Sequence, residues 1–319
     1  MLVAGCGGKQ STLSPQSSSS HDIAVLWWWM LGIASVIFLG AVVMLLIGWF
    51  RRDRPGLPFI GKKEKLSNGL VVVFGIAIPA AILIGLFAVA DIWLVGPTGS
   101  PAKGSTAMTI RVTGHQWFWK VQYPGTTAVT ANEIHIPART RVQVVATTAD
   151  VIHSFWVPEL NRKIDMIPGR TNRVLLDADK PGVYRGQCAE FCGLEHADMK
   201  MKVFAQPRRQ FDAWLSNERK PAVPPATAEQ RRGRQLFMSN ACAGCHTIRG
   251  TAAQADVGPD LTHVASRTTL GAVTIRNTPQ DLLRWITDPQ RIKPGNKMPA
   301  LDLRNADFRA IRAYLDHLH

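Results

Sequence analysis

A chain of 319 residues, 46% hydrophobic and 19% charged, has room for two modest domains and is apolar enough for part of it to lie in a membrane. Its formal charge of +14 is spread as +4 over residues 51–65, +5 over 104–220 and +5 over 228–319, so no basic tail for nucleic acid is present and none is expected as a partner. Cysteines at 6, 188, 192, 242 and 245 form two motif pairs and one leftover, which argues against a disulfide framework.

Residues 1–22 read as a leader, flexible over the Ser- and Gln-rich stretch 9–20. Val3-Ala4-Gly5-Cys6 resembles a bacterial lipobox, which would make Cys6 a lipid anchor. Only five residues precede it, too few for a normal signal peptide, and the alternative is a tail with an incidental thiol. Ile23–Phe50 and Leu66–Ala90 are 28 and 25 residues without a charge, each long enough for a hydrocarbon core of ~30 Å. They predict spans over about 23–50 and 67–94, a transmembrane hairpin occupying 23–95. Trp27-Trp28-Trp29, Trp49 and Trp93 lie near the span ends, as interfacial aromatics do. Arg51, Arg52, Arg54, Lys62, Lys63 and Lys65 between the spans place that loop in the cytoplasm and both termini outside.

After a Pro/Gly/Ser connector the pattern changes to short β-like runs: Thr109–Thr113, Trp117–Tyr123, Glu133–Ile136, Arg141–Thr147, Arg173–Ala178, Val183–Gln187 and Met199–Phe204. So many strands at close spacing predict a β-sandwich or barrel over 105–206. An amphipathic helix from Pro207 to Asn217 and the stiff stretch Pro221–Ala226 make a helix-and-linker region, 207–226. Helical patterning at Glu229–Ser239, Pro279–Thr287 and Asn305–Leu318 predicts a small all-α domain over 227–319. About ninety residues give a marginal core, so a covalent cofactor would fill much of its interior.

Cys242-Ala243-Gly244-Cys245-His246 has the form that attaches c-type haem, with two thioethers and an axial imidazole. A thioredoxin-like pair would want a βαβ setting and leaves His246 without a role. Met298 is the expected sixth ligand, with His263 the alternative and Met238 read as helix packing; a methionine raises the haem potential. Cys188, Cys192, His196 and Met199, with His153 from upstream, are soft-metal donors. A tetrahedral zinc site of Cys188, Cys192, His196 and His153 is the alternative, and it leaves Met199 and Glu190 idle.

Together these features closely resemble subunit II of a haem–copper cytochrome c oxidase, in the variant with its own cytochrome c domain. The resemblance rests on the two spans, Gly114-His115-Gln116-Trp117-Phe118-Trp119, the Asp150–Pro158 segment, Ile167-Pro168-Gly169-Arg170, the cysteine loop and the haem motif. It implies a cupredoxin β-sandwich followed by an all-α class I cytochrome c domain. It further implies a binuclear copper centre with Cys188 and Cys192 bridging, His153 and His196 terminal, Met199 a weak ligand and the Glu190 carbonyl another. The Glu190 side chain would face subunit I and help hold magnesium there. Asp150 is either support for His153 or a solvated carboxylate. Trp117 is where the family takes electrons from a docked cytochrome c. One departure stands out: the family's glutamate early in the second span is replaced by an apolar residue near Val72, and Glu64 does not substitute for it.

The implied function is electron acceptance through haem c, transfer to copper and on to subunit I, where dioxygen reduction is coupled to proton translocation. The implied setting is a bacterial plasma membrane with both cofactor domains outside. Subunits I and III and an external donor, a cytochrome c or cytochrome bc complex, are the implied partners. The copper region carries 16 basic and 11 acidic residues, not the acidic face that steers a basic cytochrome c. A tethered haem domain would supply high effective concentration instead. The rival reading is a membrane-anchored copper/haem protein serving a different reductase.

Overall fold

The computed structural model describes residues 8, 10–51, 64–99 and 104–319. Cys6 and residues 52–63 of the basic loop lie outside the described residues. The chain divides into two units, His21–Thr98 and the remainder, Met1–Ser20 with Gly99–His319.

The smaller unit is helical. Helix α1 (Ser18–Arg51) supplies the first candidate span. The second run joins α2 (Glu64–Val72), a π-helical turn at Val73–Ala77, α3 (Ile78–Val89), another at Ala90–Val95, and a short α4 (Gly96–Gly99). Pro79 falls in the first turn of α3, just after the first π-turn, where its missing N–H is accommodated without breaking the run. Phe38, Leu45, Phe74 and Phe87 are all exposed, the apolar-all-round surface that hydrocarbon tolerates and water does not.

The larger unit begins with a β-sandwich. One sheet has the order β3-β2-β1-β5-β8, from Val129–Ala131, Phe118–Gln122, Met108–His115, Val142–Thr148 and Asn172–Leu176. The other has β4-β10-β9-β6-β7, from Glu133–Pro137, Lys200–Gln206, Gly182–Cys188, His153–Trp156 and Ile164–Met166. Only the β1–β5 and β4–β10 pairings are parallel. Period-two patterning sets the register: Met201, Val203 and Ala205 of β10 are buried, with Lys200 and Lys202 turned away. They meet Ile110, Val112, Val144, Phe155 and Val174 in one core. β3, β6 and β7, each of four residues or fewer, were not expected from the sequence. Trp117, read as strand, lies in the turn between β1 and β2.

The leader is not wholly free. Ser17 Oγ donates to Leu160 O at 2.5 Å, Ser20 Oγ to Glu159 O at 2.7 Å, and Gln16 N to Glu159 O at 2.9 Å. Two serines of the stretch that reads as flexible satisfy sandwich carbonyls.

Helix α5 (Arg208–Glu218) packs Phe211 and Trp214 on Tyr123 and leads into the linker. The haem-motif domain contains α6 (Ala228–Ser239), α7 (Cys242–Cys245), a β11–β12 ribbon (Thr269–Leu270, Ile275–Arg276), α8 (Pro279–Thr287), α9 (Pro289–Ile292) and α10 (Asn305–Leu315). Thr227 and Gln230 form a capping box at the start of α6. Helices α6 and α10 cross at Gly233, where a Cβ would meet the Ala310 carbonyl oxygen at 1.9 Å. Gly233→Val is therefore expected to cost about 3 kcal/mol or more, since backbone cannot yield as a side chain does. Thermal unfolding of the full chain, followed in the haem absorbance, checks this; an unchanged midpoint would show that the crossing is not tight.

Candidate metal centres

The cysteine loop joins β9 to β10, and β6 lies beside β9 with Phe155 opposite Cys188. This pairing carries His153, 35 residues upstream, to the thiols. His153 Nδ1 is 3.9 Å from Cys188 Sγ, the two sulfurs are 3.8 Å apart, and His196 Nδ1 is 3.7 Å from Cys192 Sγ. Met199 Sδ lies 3.8 Å from Cys192 Sγ, and the Glu190 carbonyl 3.2 Å from Cys188 Sγ. His153, Cys188, Cys192 and Met199 are buried, and the ligating atoms of the first three lie within 4.8 Å of one another. Each residue expected in this site is thus in one cluster.

The electrostatics fit a cation. The thiols are reduced, and a sulfur separation far beyond the ~2.05 Å of a disulfide leaves both free to ligate. Cys188 is drawn well below the ordinary thiol range by its hydrogen bond with Cys192, whose own thiol is pushed up by the same contact and by burial. One proton leaves readily and the second is held unless positive charge enters between the sulfurs. Burial pushes His153 down, but hydrogen bonds with Cys188 and Asp150 more than offset this and hold it above its usual value.

Asp150 is no solvated carboxylate. Its Oδ1 is 2.9 Å from His153 Nε2, and its two oxygens accept from the Gln116 and Val151 amides at 2.7 and 2.8 Å. That contact puts the imidazole proton on Nε2 and turns Nδ1 to the sulfurs, the usual carboxylate–histidine arrangement beside a metal. On the other side, Gln116 Nε2 and Trp117 Nε1 both donate to the Cys192 carbonyl, at 2.8 and 3.0 Å. Sequence reasoning missed Gln116.

The second site is a cavity of about 210 Å³ in the helical domain. Cys242, Cys245, His246 and Met298 line it together with apolar side chains such as Trp285, Phe308 and Ile311. His246 Nδ1 is 2.7 Å from the Pro259 carbonyl, which leaves Nε2 for a metal. A Cβ on Gly258 would meet the His246 ring at 2.6 Å, so only glycine lets the imidazole lie there. In the same lining, Met298 N donates to Asn296 Oδ1 at 2.8 Å and Gln290 Nε2 donates to Met298 O at 2.9 Å, which fixes the loop. His263, the alternative ligand, has its ring nitrogens 2.7 and 3.0 Å from the His319 and Lys220 carbonyls and does not line the cavity; nor does Met238. These residues fit a flat apolar macrocycle: Cys242 and Cys245 could anchor it as thioethers, and His246 and Met298 could offer it a nitrogen and a sulfur donor.

A membrane-anchored electron-transfer protein, built from a thiolate-copper sandwich and a cytochrome c domain, is the class this fold and these sites define. The family model for cytochrome c oxidase subunit II, periplasmic domain, matches residues 127–206, and that for cytochrome c matches 230–319. Cytochrome c oxidase subunit 2 of Alkalihalophilus pseudofirmus is 33% identical over 100% of this chain and 94% of its own. The Bacillus subtilis protein of that name is 28% identical over 100% and 94%. A crystal structure of the periplasmic domain of subunit II of cytochrome oxidase from Bradyrhizobium japonicum is 33% identical, covers 35% of this chain and 94% of its own, and has a TM-score of 0.35. The chain belongs to the cytochrome c oxidase subunit 2 family, in the form with a fused cytochrome c domain.

Proposed function

We propose that this chain takes electrons in through a haem c on Cys242, Cys245, His246 and Met298 and passes them to a binuclear copper centre. Cys188 and Cys192 would hold the coppers as shared thiolates, with His153, His196, Met199 and the Glu190 carbonyl as the remaining donors. Once bound, the cofactors supply one-electron carriers that feed subunit I, where dioxygen is reduced to water and protons are moved. The protein's part is to hold both groups rigidly and dry. β6 and β9 fix the histidine and the first thiol, Asp150 orients the imidazole, and the sandwich core keeps water from the sulfurs.

The observation that carries this reading is the convergence of His153, His196, both thiols and Met199 on one cluster, buried but for the half-buried His196, with sulfur and nitrogen contacts of 3.7–3.9 Å. Zinc would use four of these donors and leave Met199, buried at the cluster, without purpose. The proposal extends to modules at 105–206 and 227–319, a leader over 1–22 and a hairpin over 23–95. Orientation follows the basic loop, with both cofactor domains outside a bacterial plasma membrane and Cys6 a lipid anchor. The Glu190 side chain then faces subunit I with a magnesium ion, and the external donor is a cytochrome c or cytochrome bc complex. Electron paramagnetic resonance of the purified oxidase tests the centre. One unpaired electron shared by two equivalent coppers is expected; a single-copper or silent spectrum in fully loaded protein would overturn it.

A further inference from the structure

The haem domain is joined to the sandwich by far more than residues 221–226. Glu133, the first residue of β4, is buried, and among the described residues its carboxylate accepts hydrogen bonds from the haem domain alone. Its Oε1 accepts from Thr268 N and Oγ1 at 3.0 and 2.6 Å and from Thr269 N and Oγ1 at 3.0 and 2.9 Å, while Oε2 accepts from Thr268 N at 3.1 Å. Lys202, opposite Glu133 on β10, donates to the Thr268 hydroxyl at 3.0 Å. A carboxylate serving its own fold would find partners there; this one crosses.

A second buried charge crosses in the opposite direction. Lys293 follows α9 in the haem domain and is 3% exposed, with Nζ 2.9 Å from the Asp198 carbonyl and 3.7 Å from Glu195 Oε2. Both acceptors flank His196 in the copper loop. Four residues on, Lys297 Nζ donates to Gln116 Oε1 at 3.0 Å and stands 5.8 Å over the Trp117 ring. Trp117 in turn lines the haem-domain cavity and donates to the Cys192 carbonyl. The Met298 loop and the cysteine loop are therefore connected through one indole and one glutamine. The surface pair Lys120–Asp256, whose carboxylate is 64% exposed, adds little by comparison.

We infer that Glu133 and Lys293 are positioning residues, a two-point lock that holds the haem cavity against Trp117 so that haem-to-copper transfer runs in one fixed docked state. The inference rests on the cofactor assignment above and adds what that assignment lacks, a reason for the two groups to face each other. It replaces the picture of a domain searching on a tether. It also occupies Trp117 with the chain's own haem domain, so an external protein donor delivers its electron to the haem domain and not to the sandwich. Because the lock is buried, salt should not loosen it.

The test uses the assembled oxidase with Glu133→Gln, Lys293→Met and the double change, and Lys120→Ala as the surface control. Exchange of the Thr268 and Thr269 amide hydrogens is expected to speed up about 10- to 100-fold in Glu133→Gln, because a neutral amide oxygen accepts more weakly than a carboxylate and the new NH2 replaces the oxygen that also accepts from Thr268 N. The internal haem-to-copper rate after rapid haem reduction is expected to be independent of salt in the parent and in Lys120→Ala. In the double variant it should fall about tenfold or more and become salt-dependent, with haem and copper spectra unchanged. Should Glu133→Gln fail to assemble, Thr268→Ala probes the same clamp from the other side. Unchanged exchange, or faster exchange with an unchanged internal rate, would sink the positioning role. Hydrogen exchange reads the lock whether or not copper is bound, so failure of the cofactor assignment is told apart from failure of the lock.

Discussion

Cys188→Ser is expected to abolish the two-copper resonance and to stop reoxidation of the haem, leaving it reducible by an external donor but isolated from oxygen. A serine hydroxyl is a hard, weakly acidic donor, whereas the proposed centre needs a soft thiolate shared between two cations. Loss of an outer-shell partner already costs roughly 10- to 100-fold in metal affinity or activity, so loss of a bridging ligand should lower turnover beyond that range. Cys188 is well suited to the test because its structural role is carried by backbone. Its amide donates to the Met199 carbonyl at 2.9 Å and it sits opposite Phe155 in the β6–β9 ladder, contacts that serine keeps. Haem absorbance and sandwich stability should therefore survive while the copper signal does not. A Cys188→Ser oxidase that kept the shared-electron spectrum would remove Cys188 from the bridging position.

The candidate ligands could be picked out because their chemistry is local. Cys188, Cys192, His196 and Met199 fall within twelve residues, and Cys242, Cys245 and His246 within five, so spacing alone brings the donors near one another. The alternating residues of β10 and the uncharged runs of the two spans were equally readable, since each is a repeating pattern set by one solvent boundary. Short strands were not. β6 has four residues and owes its existence to pairing with β7 and β9, a tertiary cause that no local window contains.

The second layer of each site was only partly legible. Asp150 left two readings open, and only the fold of the β5–β6 turn decides that it holds His153. Gln116 and Gln290 are ordinary polar residues in the chain, yet one braces the cysteine loop and the other the methionine loop. Glu133 and Lys293 carry no signal in the chain that sets them apart from the solvated charges most such residues are. Their partners lie 135 and 95 residues away, so no spacing could have shown them. His263 is the converse case: chemically able to ligate, and taken up by two backbone carbonyls that the sequence does not reveal.

That last contact sharpens a test of the haem site. Met298→Leu keeps the volume and apolar character of the side chain and removes only the thioether. Gln290 and Asn296 bind the backbone of residue 298, so the loop should stay where it is. His263 cannot step in as a replacement ligand without freeing a ring nitrogen now set against a backbone carbonyl. The haem should consequently lose its sixth ligand and its potential should drop by on the order of 100 mV, a modest part of the ~0.8 V that axial ligation can span. At ~59 mV per tenfold for one electron, that shifts the equilibrium with an external donor by about 50-fold toward the donor. The onward step to copper becomes more favourable by the same amount, so the bottleneck moves to haem reduction. Redox titration of the haem band in the assembled oxidase reads the potential, and the copper resonance should be unaffected. A potential equal to the parent's would show that the ligand opposite His246 is not Met298.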